Sequence, residues 1–169
     1  MTFTKSPLSR LYLMRHANAA WAQPGTSDFD RELTDEGYAE AEIVADKAAG
    51  KNYVPARLLS STAKRCRQTS EAIRRSMDEE LDCNFIDTLY NAPADTLLEI
   101  IAAQTSSTSL MIVGHNPAME EALVELVGED VFHRAIPFGY PTAGLAVLDR
   151  TEPKAKAPYA WVLVDFLQE

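Results

Sequence analysis

Two short apolar runs constrain the fold of this chain more than any other feature. Residues 11–14 and 110–113 are unbroken by polar side chains, as in strands of a parallel sheet that is covered by helices on both faces. Arg15 and His16 follow the first run, and a glycine and His115 follow the second. The sequence therefore predicts an α/β sheet with two histidines at the carboxyl ends of its strands, where such sheets bind ligands.

Helical and extended segments alternate along the rest of the chain. Thr34 and Asn116 are good N-caps, and Gly50 and Gly128 are good stops for the helices that follow those caps. Helices are predicted over residues 35–49, 63–77, 93–103 and 117–127, and further strands over residues 57–60, 84–87, 144–149 and 160–167. No helix separates the last two strands, so we expect them to pair antiparallel at an edge of the sheet.

Length and charge limit what the protein can bind. A chain of 169 residues has the usual size of one domain, which is predicted over residues 1–169. The formal net charge of −9 disfavours nucleic acid and anionic membrane surfaces, because both need clustered Lys and Arg. An anionic ligand must therefore find a local cationic pocket.

The sequence has no sign of a membrane segment or of a cofactor. The apolar run near the N-terminus is too short for a signal peptide or a membrane span, and Cys66 and Cys83 lack the spacing of metal ligands. No Walker loop, zinc motif, GxSxG elbow or dinucleotide fingerprint occurs. We expect a cytoplasmic protein with two reduced thiols, no metal and no cofactor.

His16 is the first candidate for chemistry, because a neutral imidazole can attack phosphorus. The guanidinium of Arg15 beside it can hold phosphoryl oxygens with a planar, bidentate fork. A strand-end histidine bonded to the backbone is the structural alternative for such a pair. His115 adds weight to the chemical interpretation, because it lies between a strand and a helix start, where backbone N–H groups favour an anion.

Arg65 supplies a second guanidinium. It lies about one turn inside the helix that follows residues 57–60, so its side chain can reach the same edge of the sheet, whereas Arg67 and Arg74 face elsewhere. Two histidines and two arginines would then form a compact cationic site in an acidic protein. Phosphoryl transfer needs such preplaced donors around three negatively charged oxygens.

Four motifs in this order resemble the histidine phosphatase superfamily, also called the phosphoglycerate mutase-like family. They are Leu-Tyr-Leu-Met-Arg-His-Ala at residues 11–17, Asp-Arg-Glu-Leu-Thr-Asp-Glu-Gly at 30–37, Arg-Cys-Arg-Gln-Thr at 65–69 and Val-Gly-His-Asn-Pro at 113–117. Most members of the family have Gly at the position that follows the first histidine. This chain has Ala17 there, and in this respect it resembles the short SixA-type phosphohistidine phosphatases. The resemblance implies a three-layer α/β/α sandwich with a mixed, mainly parallel sheet.

The resemblance also implies a role for each site residue. His16 becomes phosphorylated, Arg15 and Arg65 bind the phosphoryl group, and His115 completes the pocket and stabilises its charge. Candidate substrate-binding residues are Asn18 and Trp21 in the loop after His16, and Asn116 beside His115. Phe29 and His133 also come from loops expected at the mouth, but Phe29 is more simply a residue of the core rim, and a functional role for His133 is not favoured.

A general acid is not evident in the sequence. Larger members of the family often place Glu or Asp after the third strand, but residues 89–92 read Leu-Tyr-Asn-Ala. Asp87 and Asp95 are possible donors, although each is also explained as a turn residue or a helix N-terminal charge. Phosphohistidine needs such a donor less than a phosphoester, because its leaving imidazole has a conjugate-acid pKa of about 6.5.

The sequence thus predicts a metal-independent phosphatase that acts on phosphohistidine in a protein, such as a phosphorelay domain, through a covalent phospho-His16 intermediate. Two alternatives stay open at this point. One is a small-molecule phosphomonoesterase with an unidentified acid, and the other is a phosphate-binding module that lacks turnover.

Overall fold

Six strands form one mixed sheet in the computed structural model, which describes residues 8–105, 107–151 and 160–169. The strands are β1 (Arg10–Arg15), β2 (Arg57–Ser61), β3 (Asp82–Ile86), β4 (Ser109–Gly114), β5 (Leu145–Arg150) and β6 (Trp161–Leu167). Their order across the sheet is β3-β2-β4-β1-β5-β6. The first four of these pair in parallel, and the pairs β1–β5 and β5–β6 are antiparallel. The mixed, mainly parallel sheet and its antiparallel C-terminal edge are confirmed.

Helices cover both faces of the sheet. Within the described residues they are α1 (Asp35–Gly50), α2 (Lys64–Met77), α3 (Ala94–Ala103), α4 (Ala118–Val127) and α5 (Glu129–Ala135). α1 and α2 pack on one face through residues such as Val44 and Ile73. The other three pack on the opposite face through residues such as Leu97, Leu123 and Phe132. The architecture is the predicted three-layer α/β/α sandwich.

The start of α1 is joined closely to the loop that follows β1. The Thr34 hydroxyl accepts a hydrogen bond from the amide of Gly37 at 3.0 Å, as expected of an N-cap. The same hydroxyl accepts a hydrogen bond from Nδ2 of Asn18 at 2.9 Å. A Cβ on Gly37 would lie 2.0 Å from the carbonyl oxygen of Asn18. The absence of a side chain at position 37 therefore lets the loop after His16 rest on the helix.

Helix α5 was not predicted from the sequence. His133 was assigned to a loop, and that assignment is wrong, because His133 lies within α5 and close to its C-terminal end. The helix is short and begins directly after Gly128, which has φ +89° and ends α4. Gly128 thus ends α4 and immediately precedes α5. A helix of seven residues is too short to show a clear apolar periodicity in the sequence, so α5 could not be recognised from that pattern.

Two further predictions concern the chain as a whole. None of the helices within the described residues has the length and apolarity needed to cross a membrane. The assignment of residues 1–169 to one domain stays a prediction, since residues 1–7, 106 and 152–159 lie outside the described part of the chain.

The close approach at Gly37 leads to a prediction about stability. Gly37→Ala should lower the free energy of unfolding by about 1–3 kcal/mol, because the added methyl group must displace the Asn18 backbone. Gly50→Ala is the matched control, since a Cβ there meets no atom within 4 Å, and it should leave the stability unchanged or raise it slightly. Urea denaturation measures both. Equal effects of the two substitutions would contradict the proposed contact.

Candidate active site

The pairing of β1 with β4 brings the two histidines together. Arg15 lies opposite Gly114 in the parallel register, and the amide of His16 donates to the carbonyl oxygen of Gly114 at 3.0 Å. Each histidine follows the last pair of its strand, so both rings leave the same edge of the sheet. The rings of His16 and His115 lie edge to face with centroids 5.3 Å apart.

His16 is held as a neutral imidazole with one ring nitrogen unbonded in the part of the chain that the structure describes. Its Nδ1 lies 2.7 Å from the carbonyl oxygen of Ala17, and because a carbonyl only accepts, Nδ1 carries the proton. Burial lowers the pKa of His16 to about 3, and the positive charges of Arg65 and Arg15 act in the same direction. Near neutral pH the unprotonated Nε2 therefore keeps its lone pair.

Arg15 is fixed by the segment that precedes β5. Its Nη1 donates to the carbonyl oxygen of Tyr140 at 2.7 Å. The amide of Tyr140 donates to Oε1 of Glu120 at 2.9 Å, and its hydroxyl donates to the carbonyl oxygen of Leu13. The buried Nε of Arg15 has no hydrogen-bond acceptor in the described structure. One N–H of an anchored guanidinium thus has no partner within the described residues.

Arg65 enters the same space from the first turn of α2. The residue is only 5% exposed, its Nη1 donates to the carbonyl oxygen of Asp28 at 2.7 Å, and its Nη2 lies 3.2 Å from both Oδ2 of Asp28 and Nδ1 of His115. Its buried Nε has no acceptor within the described residues. A buried donor of this kind is costly unless a ligand satisfies it.

His115 orients Arg65. An arginine only donates, so Nδ1 of His115 accepts from Arg65, and the proton of the neutral ring lies on Nε2, 2.9 Å from Oγ of Ser61.

Cys66 also contacts the ring of His115, with its Sγ 3.5 Å from Nε2. Burial lowers the pKa of His115 to about 4 and raises the pKa of the Cys66 thiol to about 12. Cys66 and Cys83 are both free.

Asp28 is a site residue that sequence reasoning missed. Its carboxylate accepts hydrogen bonds from the Tyr90 hydroxyl at 2.7 Å, from Arg31 at 3.1 Å and from Arg65 at 3.2 Å. These hydrogen bonds lower the pKa of Asp28 to about 2, and the bond from Tyr90 has the largest effect. One feature of the sequence could have indicated Asp28: it lies in the polar loop after β1, and loops at strand ends often carry functional groups.

These side chains surround a cavity of about 690 Å³. Its lining residues are Arg15, His16, Trp21, Asp28, Arg31, Arg65, Asn91, Ala92, Pro93, His115, Asn116, Pro117, Ala118 and Glu121. The four predicted catalytic residues, Trp21 and Asn116 are among them. Asn18 is not, because its side chain bonds Thr34, and Phe29 packs against Tyr90 at 5.1 Å between ring centroids. His133 lines a different surface depression, beside Asp130 and Arg134.

No carboxylate occupies the wall that follows the third strand. Asn91 and Ala92 line the cavity there. Asp87 accepts from the Thr62 hydroxyl at 2.7 Å, and neither it nor Asp95 is among the residues that line the cavity. Asp28 does line it, but its low pKa keeps it ionised and unable to donate a proton. Glu121, exposed at the cavity mouth, is the other carboxylate among the lining residues.

The arrangement is suited to binding a phosphoryl group next to a nucleophile. Two anchored guanidinium groups line the same cavity as His16, and the Nε–H of each has no acceptor within the described residues. Such donors act strongly in a site partly closed to water. The described residues contain no cluster of three or more His, Cys, Asp or Glu side chains placed to hold a metal ion.

Comparison with known proteins identifies the family. Residues 11–90 match the model of the histidine phosphatase superfamily (branch 1). A structure from Agrobacterium tumefaciens, assigned as a phosphohistidine phosphatase SixA, is 52% identical, with a TM-score of 0.87 over 95% of this chain and 97% of that one. A protein histidine phosphatase SixA in complex with tungstate has the same fold, with a TM-score of 0.77 over 94% of this chain and 96% of that one, at 21% identity.

A relative from a plant extends the comparison beyond bacteria. An uncharacterized chloroplastic protein of Arabidopsis thaliana is 32% identical over 132 residues, which are 72% of this chain. The match spans only 61% of that longer protein. The high sequence identity to the Agrobacterium protein, over nearly the whole length of both chains, shows that the two proteins are related. The chain belongs to the histidine phosphatase superfamily and is a phosphatase of its SixA type.

Proposed function

We propose that this phosphatase removes the phosphoryl group from phosphohistidine in a protein, by way of a covalent phospho-His16 intermediate. The observation that carries the proposal is the state of His16. Its Nδ1 proton is held by the Ala17 carbonyl, which leaves the Nε2 lone pair available for attack. Arg15 and Arg65 line the same cavity, and their Nε donors have no acceptor within the described residues. A nucleophile and a set of phosphoryl-binding donors thus share one cavity.

The first step is attack of Nε2 of His16 on phosphorus. The new N–P bond forms as the bond from phosphorus to the substrate nitrogen breaks, and the electron pair of the broken bond stays on the leaving imidazole. Arg15 and Arg65 stabilise the charge on the equatorial oxygens, which requires no metal ion. His115 keeps Arg65 in place through the contact at 3.2 Å.

The second step is hydrolysis of phospho-His16. A water oxygen attacks phosphorus, the bond from phosphorus to Nε2 breaks, and its electron pair returns to the ring, which is neutral again. The water gives up its protons to solvent and to the released orthophosphate. The hydrogen bond from Nδ1 to Ala17 keeps the ring in one orientation in both steps.

The carboxylates of the site favour phosphohistidine over phosphoesters. An alkoxide leaving group needs a proton donor, and Asp28 is held ionised with a pKa of about 2. An imidazole that is protonated on its distal nitrogen leaves as a neutral molecule without such a donor. The lack of a carboxylate at Asn91 and Ala92 therefore supports a substrate with a P–N bond.

A small-molecule phosphomonoesterase is the second candidate, and Glu121 is the observation that favours it. This exposed carboxyl group lines the cavity and could protonate an ester oxygen. In that case Glu121→Gln would reduce the hydrolysis of esters and leave phosphohistidine hydrolysis largely intact.

The assignment of the nucleophile leads to a labelling prediction. Wild-type protein mixed with radiolabelled phosphoramidate should gain an acid-labile, alkali-stable label, and His16→Ala should gain none and lose at least about 1,000-fold in turnover. His133→Ala is the control, because His133 lies outside the cavity. Normal turnover by His16→Ala would refute the nucleophile, and a wild type that never becomes labelled would indicate a binding module without turnover.

The missing proton donor leads to a prediction about substrate preference. In a panel without added metal, kcat/KM for phosphohistidine should exceed that for phosphotyrosine and for sugar phosphates by about 100-fold or more, the usual contribution of a general acid. Initial rates of phosphate release measure the preference. A sugar phosphate hydrolysed faster than phosphohistidine would support the esterase instead.

The low pKa of His16 leads to a prediction about stability. Folded His16 stays neutral down to a pH near 3, whereas in the unfolded chain it binds a proton near pH 6.5. Lowering the pH from 7.5 to 5 therefore favours the unfolded state, by up to about 2 kcal/mol for this group. The free energy of unfolding should fall less over this range in His16→Gln than in wild type, as measured by urea denaturation at both pH values. Parallel losses in the two proteins would mean that His16 is not held neutral.

A further inference from the structure

Trp21 is an exposed aromatic side chain at the mouth of the catalytic cavity. It is 85% exposed, whereas Trp161 is only 5% exposed. Trp21 also lines a second depression of about 440 Å³, together with Gln23, Thr26, Glu32, Lys64 and other residues of the loop after β1 and the start of α2. The indole therefore stands between the cavity that contains His16 and a neighbouring hollow on the surface.

The position of Trp21 is fixed by the backbone around it. Ala19 and Leu33 form an antiparallel bridge, and the amide of Ala20 donates to the carbonyl oxygen of Glu32 at 2.8 Å. Nε of Arg31 donates to the carbonyl oxygen of Ala20 at 2.8 Å, and its guanidinium lies 5.3 Å from the centre of the Trp21 ring. An exposed aromatic group that is already ordered loses little entropy when it binds a partner.

A chain of contacts joins Trp21 to the phosphoryl-binding group. Arg31, which lies over the indole, donates to Asp28 at 3.1 Å, and Asp28 bonds Arg65 at 3.2 Å. These four side chains line one side of the cavity that contains His16, so a substrate whose phosphoryl group lies between Arg65 and His16 can extend along them to the surface. The part of the substrate next to its phosphorylated histidine then lies beside Trp21, which lines both this cavity and the second depression.

A free phosphorylated amino acid is small enough to lie within the catalytic cavity and has nothing to place in the second hollow. A polypeptide that carries phosphohistidine does have more surface, on both sides of the modified residue. Exposed, preordered tryptophans are typical of positions that dominate binding energy in protein interfaces. The occupant that fits is therefore the surface of a protein substrate next to its phosphohistidine.

We propose that Trp21, supported by Arg31, is a docking residue that makes the enzyme prefer phosphohistidine in a folded protein over the free amino acid, with an apolar side chain of the substrate resting on the indole. This inference rests on the proposed function and adds a determinant of specificity to it. The hollow beside Trp21 receives the neighbouring segment of the substrate.

The test compares two substrates with three proteins. The substrates are free phosphohistidine and a small phosphorelay protein phosphorylated on its single histidine with phosphoramidate. Trp21→Ala should lower the ratio of kcat/KM for the protein to kcat/KM for the free amino acid at least tenfold, and Trp21→Phe should restore much of it. Phe138→Ala is the matched control, because Phe138 is fully exposed but lines neither depression, and its ratio should stay within twofold of wild type.

A binding measurement separates docking from catalysis. In a His16→Ala background, which we expect to bind without turnover, Trp21→Ala should weaken the affinity for the phosphorylated protein at least tenfold by calorimetric titration. An unchanged ratio, or equal losses on both substrates, would overturn the docking role while leaving the proposed function intact. Failure of the wild type to hydrolyse either substrate would instead overturn the proposed function, and the docking role with it.

Discussion

The in-register pairing of β1 with β4 is the constraint on which the rest of the site depends. It aligns Arg15 with Gly114 and ties the amide of His16 to the carbonyl of Gly114. A shift of one residue would turn the side chains of β1 to the opposite faces of the sheet. Both faces of this strand are buried, with Leu11 and Leu13 in one core and Tyr12 and Met14 in the other, so the packing of both layers fixes the register.

The cavity is cationic mainly through its arginines. Burial keeps His16 and His115 neutral, so the positive charge beside His16 comes from guanidinium groups that cannot lose their protons under ordinary conditions. A neutral nucleophile and permanently charged donors do not compete for the same proton. The ionised Asp28 lies 3.2 Å from Arg65 and offsets part of this charge, which limits the electrostatic penalty of holding several cations close together before a phosphoryl group arrives.

Local sequence patterns were sufficient to predict the parts of the site that lie at strand ends. Arg15 and His16 follow one apolar run and His115 another, and α2 starts directly after a strand, so the fold rules for parallel sheets bring Arg65 to the same edge. Their catalytic roles stay predictions.

Contacts between distant segments were beyond such reasoning. The carbonyl of Tyr140 that holds Arg15, and the hydroxyl of Tyr90 that holds Asp28, come from segments far along the chain. No periodicity signals such contacts, and the hydrogen bond between Asn18 and Thr34 is a further example that the sequence does not reveal.

The central place of β1 has a consequence for how the protein is made. The strand that leads to His16 lies between β4 and β5, both of which come from the second half of the chain. During synthesis β1 and His16 emerge before the strands that lie on both sides of them, and long-range pairing of this kind is slow because a large loop must close first. The apolar residues of β1 therefore stay exposed to solvent or to chaperones until β4 and β5 have been synthesised. The catalytic centre is thereby among the last parts of the molecule to form, and a chain that stops before β5 has no means of assembling it.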